Sequence, residues 1–477
     1  MNCGNEKRPV SPVVHRILVF LLMLLTWPLA ASASDAPSPP PIEPLTLASS
    51  IAYGLEHNRN YLSVRQEVEV VNQQVRQSRA DFFPKVDANF LYRSWKDAPY
   101  AVFESMQFEI APQNVNRWEF HLNQPLFTGF ALSAQLNIAK MNLRISEYRL
   151  EETRLNTVHS IERAFWNVLL GQKLLQVARD NVSSLEVQRR NAQANYDQGL
   201  VALNDVLKAD VALAASRQRE RSATKQLTIL RSRLNQLLDI DLKQVLTLHE
   251  EEIPMREAPA LEHLCAVADE KRPEYLSIET SIRQAGEGIT AARSRYYPKL
   301  SGFAQYYREG NDILGNNNPF GNNDNAAVGL RVDWNWFEGG KTDAAEKEYK
   351  YRRKALEEKR SDLKQQIHLQ VEDAYEQLGV AQENLRTAEA ALKQAEENER
   401  MTTIQYREQL VIFLEVLNAQ VLLSQSRVDY YEALYGFKLA WADLERAVGG
   451  PFLEDTLPQN ARKTGKSESS RAHPYGQ

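Results

Sequence analysis

The chain carries one set of chemically capable side chains twice, about 210 residues apart. In each copy a tyrosine precedes an acid by nine positions, and Val-Leu-x-Ala follows the acid: Tyr196 precedes Asp205, and Tyr406 precedes Glu415. A phenol donates a hydrogen bond to a carboxylate, and this pairing is strong when both groups are partly buried. The pattern indicates that the same local structure occurs at two places in the chain.

No motif in the sequence predicts catalysis. A Gly-rich phosphate loop, a nucleophile elbow and an HExxH pair are absent, and the eight histidines lie far apart without metal-ligand spacing. Paired acids such as Glu151-Glu152 are typical of a solvated face. We therefore expect a protein that is not an enzyme and that holds no metal and no cofactor.

Earlier anchors extend the repeat. Phe82-Phe83-Pro84-Lys85 corresponds to Tyr296-Tyr297-Pro298-Lys299, a spacing of 214 residues. Because the later spacing is 210, four residues are lost in the loop-like stretch after each Pro-Lys step. Self-similarity of this kind predicts two copies of one structural unit. We expect the first at 45–238 and the second at 259–450, joined by a linker at 239–258.

The N-terminus has the layout of a secretory signal peptide. Basic residues including Arg16 precede an apolar run at 17–25, and Ala31-Ser32-Ala33 forms a small-residue cleavage site, so we expect residues 1–33 to be removed. Removal takes three bases and one acid from totals of 57 and 62, leaving a net charge near −7. An acidic chain is not expected to bind nucleic acid. A Pro-rich leader at 34–44 and a polar tail at 451–477 flank the repeats.

Four segments have strand character, at about 86–95, 116–127, 300–308 and 326–337. In the last of these, Val328, Leu330, Val332, Trp334 and Trp336 alternate with polar residues and glycine. An apolar-out, polar-in alternation with aromatic residues near the ends is typical of a transmembrane strand. A half-buried strand of a soluble sandwich gives the same alternation. The long loops between the segments and the lack of further strands favour the membrane.

Long helices follow each pair of strands. Residues 341–407 contain no proline, and apolar residues there advance by alternating four and three positions: Ile367, Val371, Ala374, Leu378, Ala381, Leu385, Ala388, Leu392 and Ala395. This 3.5-residue repeat predicts a coiled-coil seam in a helix roughly 100 Å long. Residues 129–198 match it. Each helix reaches the Tyr motif, turns at a tip near 196–209 or 406–419, and returns as a shorter helix.

Four strands are too few to close a membrane barrel, so membrane-spanning strands would require several copies of the chain. The duplicated order of helix, strand pair, long helix and Tyr-motif hairpin resembles the TolC-like outer membrane efflux proteins. The resemblance implies a mainly α fold with a small β part, as a homotrimer with a twelve-stranded barrel and a periplasmic helical tunnel. It also implies the exit duct of a tripartite efflux pump or type I secretion system in the outer membrane of a Gram-negative bacterium. Partners would be a periplasmic adaptor, an inner-membrane transporter and outer membrane lipid.

The same resemblance implies roles at the second tip. Glu415 and Asn418 would form the constriction of the pore, where three carboxylates around one axis repel one another and give a cation-selective gate. An exposed helix carboxylate without a pore role is the alternative for Glu415. Tyr406 would hydrogen-bond Asp205 of the neighbouring hairpin, or else simply pack in the seam. Val411 occupies the position where some relatives have a basic latch residue.

The tips would also contact the adaptor. By resemblance the contacting residues are Gly199, Leu200, Gln409 and Leu410, although both leucines could instead be helix-turn staples. Gln409 replaces the glycine expected in the second copy, so the two tips should differ toward an adaptor. A periplasmic coiled-coil adaptor or scaffold without a membrane barrel is the alternative function, but an adaptor would need many short strands flanking a single hairpin.

Overall fold

The computed structural model describes residues 45–104, 106–250, 257–408 and 410–452. The predicted signal peptide, the Pro-rich leader and the tail from residue 453 onward lie outside the described residues. Gln409 and positions 251–256 of the linker do so as well.

Helices and strands alternate as the duplicated order predicts. The helices are α1 (Leu47–His57), α2 (Arg59–Ala80), α3 (Ala131–Asp197), α4 (Leu203–Leu238), α5 (Leu261–Lys271), α6 (Pro273–Arg293), α7 (Lys341–Arg407) and α8 (Phe413–Val448). The strands are β1 (Lys85–Ser94), β2 (Tyr100–Phe103), β3 (Met106–Glu109), β4 (Asn114–Phe127), β5 (Lys299–Gly310) and β6 (Asp324–Asp333). Helices α3 and α7 each have 67 residues, and α4 and α8 each have 36. Every residue of α3 and α4 therefore has a counterpart 210 positions later.

Both long helices begin after a left-handed turn. Gly129 and Phe130 precede α3 with φ of +63° and +71°, and Gly339 and Gly340 precede α7 with φ of +60° and +83°. A Cβ atom on Gly129 would lie 2.5 Å from the Ser294 carbonyl oxygen, so this position accepts glycine alone.

Four strands form one antiparallel sheet in the order β1-β4-β5-β6. Val328, Leu330 and Val332 lie on one face of β6 with 83%, 69% and 64% of their surface exposed. Within the described chain, β1 and β6 are the edges of this sheet. The sheet thus has an apolar face that the rest of the described chain leaves uncovered.

Two details of the predicted strands are wrong. The segment at 326–337 ends as a strand at Asp333, which pairs with Lys299; Pro298 precedes Lys299, so β5 offers no partner to Trp334 or Trp336. The two tryptophan rings instead stack at 4.9 Å. The loop after β1 also contains an unpredicted hairpin, β2–β3, whose four-residue strands are too short to show a clear alternation.

The apolar seam of α7 is confirmed. Of the nine predicted positions, six are buried and the other three are half-buried. Ile367 and Val371 have no exposed surface and pack with Leu264 of α5 and Leu444 of α8. None of the described helices is apolar over a length sufficient to cross a bilayer.

Candidate functional site

The two tips close with the same backbone hydrogen bond. The Leu200 N–H donates to the Asn195 carbonyl, and the Leu410 N–H donates to the Gln405 carbonyl, both at 2.9 Å. This six-residue closure is the Schellman motif that ends many helices, and in the first tip Gly199 supplies the left-handed φ of +74°. The tips are therefore equivalent in hydrogen bonding at these residues.

An acid lies in the first turn after each tip. The Asp205 N–H donates to the Ala202 carbonyl at 3.0 Å, and the Glu415 N–H donates to the Ile412 carbonyl at 3.1 Å. A carboxylate here favours the helix because it faces the positive end of the helix dipole. Glu415 and Asn418 are both exposed, one turn apart on the same face of α8. The structure thus places the two predicted constriction residues side by side.

Tyr406 lies in an apolar cluster that joins the two tips. Leu185, Ala192, Val206, Ala209 and Leu213 of the first hairpin pack with Phe413 and Leu417 of the second, and we call these seven residues the tip cluster. The Tyr406 ring lies 5.7 Å from the Phe413 ring. Among the described residues no hydrogen bond joins Tyr406 to Asp205, whose carboxylate is instead 3.5 Å from Lys208 Nζ.

Phe413 and Leu417 are functional candidates that the sequence motifs did not identify. They are 2% and 8% exposed, whereas their counterparts in the first tip, Leu203 and Leu207, are 50% and 54% exposed. The change from Leu203 to Phe413 between the repeats is the signal that could have revealed Phe413, whereas Leu417 corresponds to another leucine, Leu207.

Large apolar side chains are exposed at both tips. Leu200, Leu410 and Ile412 are 61%, 74% and 65% exposed. Exposed apolar residues clustered at one place commonly mark a protein contact. The backbone N–H groups of Leu200 and Leu410 also close the preceding helices. These two positions therefore suit both a staple at the helix turn and a contact with a partner.

Far from the tips, α3 and α8 are joined by a charged and aromatic contact. Arg163 Nη1 donates to both carboxylate oxygens of Asp443 at 2.7 and 2.9 Å, and His159 Nε2 lies 2.6 Å from the same group. Burial alone would raise the pKa of Asp443, but the hydrogen bonds from His159 and Arg163 outweigh burial and lower it. Trp166 and Tyr435 pack nearby with ring centroids 6.3 Å apart. We call this contact the intrachain seam.

Glu162 and Glu445 lie in the intrachain seam, and within the part of the chain that the structure describes neither forms an ion pair with a cationic side chain. Burial, and secondarily the charge of Glu445, raises the pKa of Glu162 to about 8. Burial also raises the pKa of Glu445, although a hydrogen bond from Trp441 Nε1 at 3.2 Å opposes the shift. Glu162 therefore holds a proton at neutral pH. Sequence reasoning did not find this pair because its members are far apart along the chain.

No metal site accompanies these groups. Within the described ranges, no group of three or more His, Cys, Asp and Glu side chains is arranged to hold a metal ion. In the described residues, the tips and the intrachain seam contain apolar packing, charged groups and hydrogen bonds.

Known proteins with the same organisation are membrane channels and secretion components. Alkaline protease secretion protein AprF of Pseudomonas aeruginosa is 22% identical over 414 residues, covering 85% of this chain and 84% of that protein. The Campylobacter jejuni CmeC outer membrane channel superposes with a TM-score of 0.73 at 16% identity, covering 89% of both chains. The outer membrane protein VceC from Vibrio cholerae superposes with a TM-score of 0.71 at 17% identity, covering 85% of this chain and 97% of that one.

The family model for outer membrane efflux proteins matches residues 53–239 and 264–450, one match for each repeat. The mainly helical fold with a small sheet agrees with the solved structures. The resemblance predicted from the duplicated motifs is confirmed, and the chain belongs to the outer membrane efflux protein family.

Proposed function

We propose that this protein is the outer membrane exit duct of a tripartite efflux pump or type I secretion system. The observation that carries the proposal is the exposed apolar face of the β1-β4-β5-β6 sheet, which includes Val328, Leu330 and Val332. Family membership supports a channel over a scaffold. Substrate would pass from an inner-membrane transporter through the helical part and the barrel to the outside.

The functional unit is a homotrimer that spans the outer membrane of a Gram-negative bacterium. The edges β1 and β6 would pair between copies, so that three sheets close into one barrel of twelve strands. Val328, Leu330 and Val332 would then face lipid. The relative AprF is an alkaline protease secretion protein, which supports secretion of a protein substrate as one role. The transported substrate would depend on the inner-membrane partner.

The tips form the gate and the adaptor contact. Glu415 and Asn418 line the narrowest part of the pore, and their exposure on one face of α8 supports this placement. Tyr406 hydrogen-bonds Asp205 of the neighbouring hairpin when the gate is closed. Gly199, Leu200, Gln409 and Leu410 contact the hairpins of a periplasmic adaptor. Because Val411 replaces a basic latch, closure depends on packing more than on an ion pair.

Single-channel conductance in planar bilayers tests the proposal. The protein without residues 1–33 is compared with Glu415→Ala across pH, with Glu432→Ala as the matched control because Glu432 is an exposed acid farther along the same helix, α8. We expect cation-selective pores whose conductance rises, and whose cation selectivity falls, in Glu415→Ala and not in Glu432→Ala. Folded helical protein that forms no pores would contradict the channel and favour the scaffold.

A further inference from the structure

A groove lined by basic side chains lies between α6 and α7. Arg293 of α6 and Lys350, Arg353 and Lys354 of α7 line a cavity of about 480 Å³, together with Gly286. No atom lies within 4 Å of the place that a Cβ of Gly286 would take, so this part of the wall is open. Sites for small ligands have volumes of roughly 300–1,000 Å³. The groove, which we call the basic groove, is therefore large enough for a phosphate head group.

The bases of the basic groove outnumber the acids beside them. Glu346 accepts hydrogen bonds from Arg293 Nη2 at 2.8 Å and from Lys350 Nζ at 2.7 Å, and these two cations lower its pKa to about 2. Arg353 Nε lies 3.0 Å from the Glu357 carboxylate. Four bases thus face two ionised carboxylates, which leaves a net charge of +2 to attract an anion.

Exposed aromatic side chains lie where the basic groove meets the sheet. Tyr296 and Tyr297 follow α6, and Trp336 and Phe337 precede α7 with 82% and 84% of their surface exposed. Trp334 Nε1 donates to the Tyr296 carbonyl at 3.2 Å, which joins the two segments. Aromatic residues at the ends of membrane strands lie at the boundary between lipid and water. If the sheet spans a membrane, the basic groove therefore begins at this boundary.

The bases lie at a depth that suits the head groups of one leaflet. Arg293 is the last residue of α6, and Lys350 lies about 14 Å along α7 from its first residue, Lys341. The head group layer is about 5–8 Å thick, and long basic side chains extend toward it from below. Arg293 and Lys350 can therefore both reach the phosphate groups of the leaflet that faces the helices.

The first repeat has bases at the corresponding positions. The spacing of 214 on α6 and 210 on α7 relates three bases of the basic groove to three bases of the first repeat: Arg293 to Arg79, Lys350 to Lys140, and Lys354 to Arg144. Thr290 is replaced by Arg76 and Arg353 by Leu143, so each repeat has four bases. Both repeats therefore carry a basic cluster at the same distance from the sheet.

We propose that the basic groove binds the head group of an anionic phospholipid in the leaflet that faces the helices. The phosphate lies among Arg293, Lys350 and Lys354, and the acyl chains lie along the aromatic residues at 334–337. The net positive charge selects an anion, and the adjoining aromatic residues select a lipid over free phosphate. Basic pockets beside membrane-spanning helices bind anionic head groups by the same means. This inference rests on the proposed membrane channel and adds a lipid ligand to it.

Hydrogen exchange followed by mass spectrometry tests the basic groove in the purified protein without residues 1–33. The protein in detergent is titrated with phosphatidylglycerol, which is anionic, or with phosphatidylcholine, which has no net charge. The affinity is measured from the slowing of exchange in 286–293 and 346–357, so that lipid bound elsewhere does not contribute.

Two lysines of α7 give a matched comparison. Lys354 and Lys393 are both exposed, and within the described part of the chain neither forms an ion pair. Lys393 lies about 58 Å farther along the helix, outside the basic groove. Lys354→Gln therefore removes a base from the groove, and Lys393→Gln removes an equivalent base from elsewhere on the same helix.

We expect phosphatidylglycerol to bind more tightly than phosphatidylcholine, with an affinity that falls as salt is added. Lys354→Gln should weaken the binding of phosphatidylglycerol roughly fivefold, and Lys350→Gln combined with Lys354→Gln roughly 25-fold, because each base near a membrane surface contributes a similar factor. Lys393→Gln should leave the affinity unchanged.

Circular dichroism checks that each variant remains helical. If a lysine variant does not fold, Arg353→Leu replaces it, because leucine is the residue at the corresponding position 143 of the helix α3. Arg353→Leu should also weaken binding roughly fivefold.

Other outcomes separate the lipid from a free anion and the basic groove from the channel. If inorganic phosphate slows exchange as strongly as phosphatidylglycerol does, the groove takes a free anion and the lipid assignment is wrong. If both lipids bind equally, or if Lys354→Gln binds like Lys393→Gln, the proposal is wrong, and pores in planar bilayers would show that the channel still stands. If lipid binds as expected but the protein forms no pores, the channel fails and the lipid site stands.

Discussion

The two repeats share a backbone plan but differ in the side chains that cover their corresponding surfaces. Where α8 lies against α3, the contact uses Trp166, Tyr435 and an ion pair. Where the counterpart surfaces of α4 and α7 face outward, lysine, arginine and acids occupy the same positions. Helices α3 and α7 have the same length, as do α4 and α8, so the repeats differ in what surrounds these helices. Aromatic residues thus lie where another helix of the chain covers them, and charged residues lie at the corresponding positions that remain exposed.

The two repeats differ most in how deeply the residues at their tips are buried, and Phe413→Ala should remove this difference. Phe413 is 2% exposed in the tip cluster, so truncation leaves a cavity and should destabilise the tip by about 3 kcal/mol. Hydrogen exchange followed by mass spectrometry over residues 182–213 and 406–417 measures local opening.

Leu203→Ala is the matched control, because its side chain is half-exposed in the chain and should cost well under half as much in the monomer. Equal protection losses in the two variants would contradict the asymmetry of the tips. A larger loss of hydrogen-exchange protection for Leu203→Ala in the assembled protein than in the monomer would show that another copy covers Leu203.

Glu162→Gln should give a smaller, pH-dependent effect. The folded pKa of about 8 lies above the ordinary value of 4.5, so between these values the folded state binds a proton that the unfolded state does not. Stability is therefore lost as the pH rises from about 4.5 to 8. Glutamine removes this loss and should therefore stabilise the protein at pH 8, with little effect near pH 5.

Thermal unfolding at pH 5 and pH 8, followed by circular dichroism, measures this difference. Glu372→Gln is the control, because Glu372 is the exposed counterpart on α7. The residue of α4 that corresponds to Glu445 is Asn235, which carries no charge. A Glu162→Gln variant whose stability difference is the same at both pH values would contradict the raised pKa.

The smallest expected effect concerns the turn of the first tip. Gly199→Gln introduces the residue type found at 409 into a position with φ of +74°, which should cost about 1 kcal/mol although no atom lies within 4 Å. Thermal unfolding of the variant measures this cost. Gly286→Ala in α6 is the control, because that glycine is helical and open, and alanine there should be neutral or stabilising. A neutral Gly199→Gln would show that the tip relaxes into another turn.

Features with a local pattern could be predicted from the sequence. The α7 seam follows from a heptad repeat, and the main strands follow from alternation of apolar and polar residues. Burial of Phe413 and the raised pKa of Glu162 could not be predicted, because both depend on elements more than 200 residues away. The β2–β3 hairpin was missed because four-residue strands show too little periodicity. The roles of Glu415, Asn418, Tyr406 and Asp205 in a gate remain predictions.

The equal lengths of the paired helices restrict how this protein can evolve. One residue inserted into α3 would rotate everything beyond it by about 100° and misalign its contacts with both α4 and α8. Substitutions are therefore tolerated far more easily than insertions across 131–238 and 341–448. An insertion in 95–113 or 311–323, where the two repeats already differ in length, leaves the register of these helices unchanged.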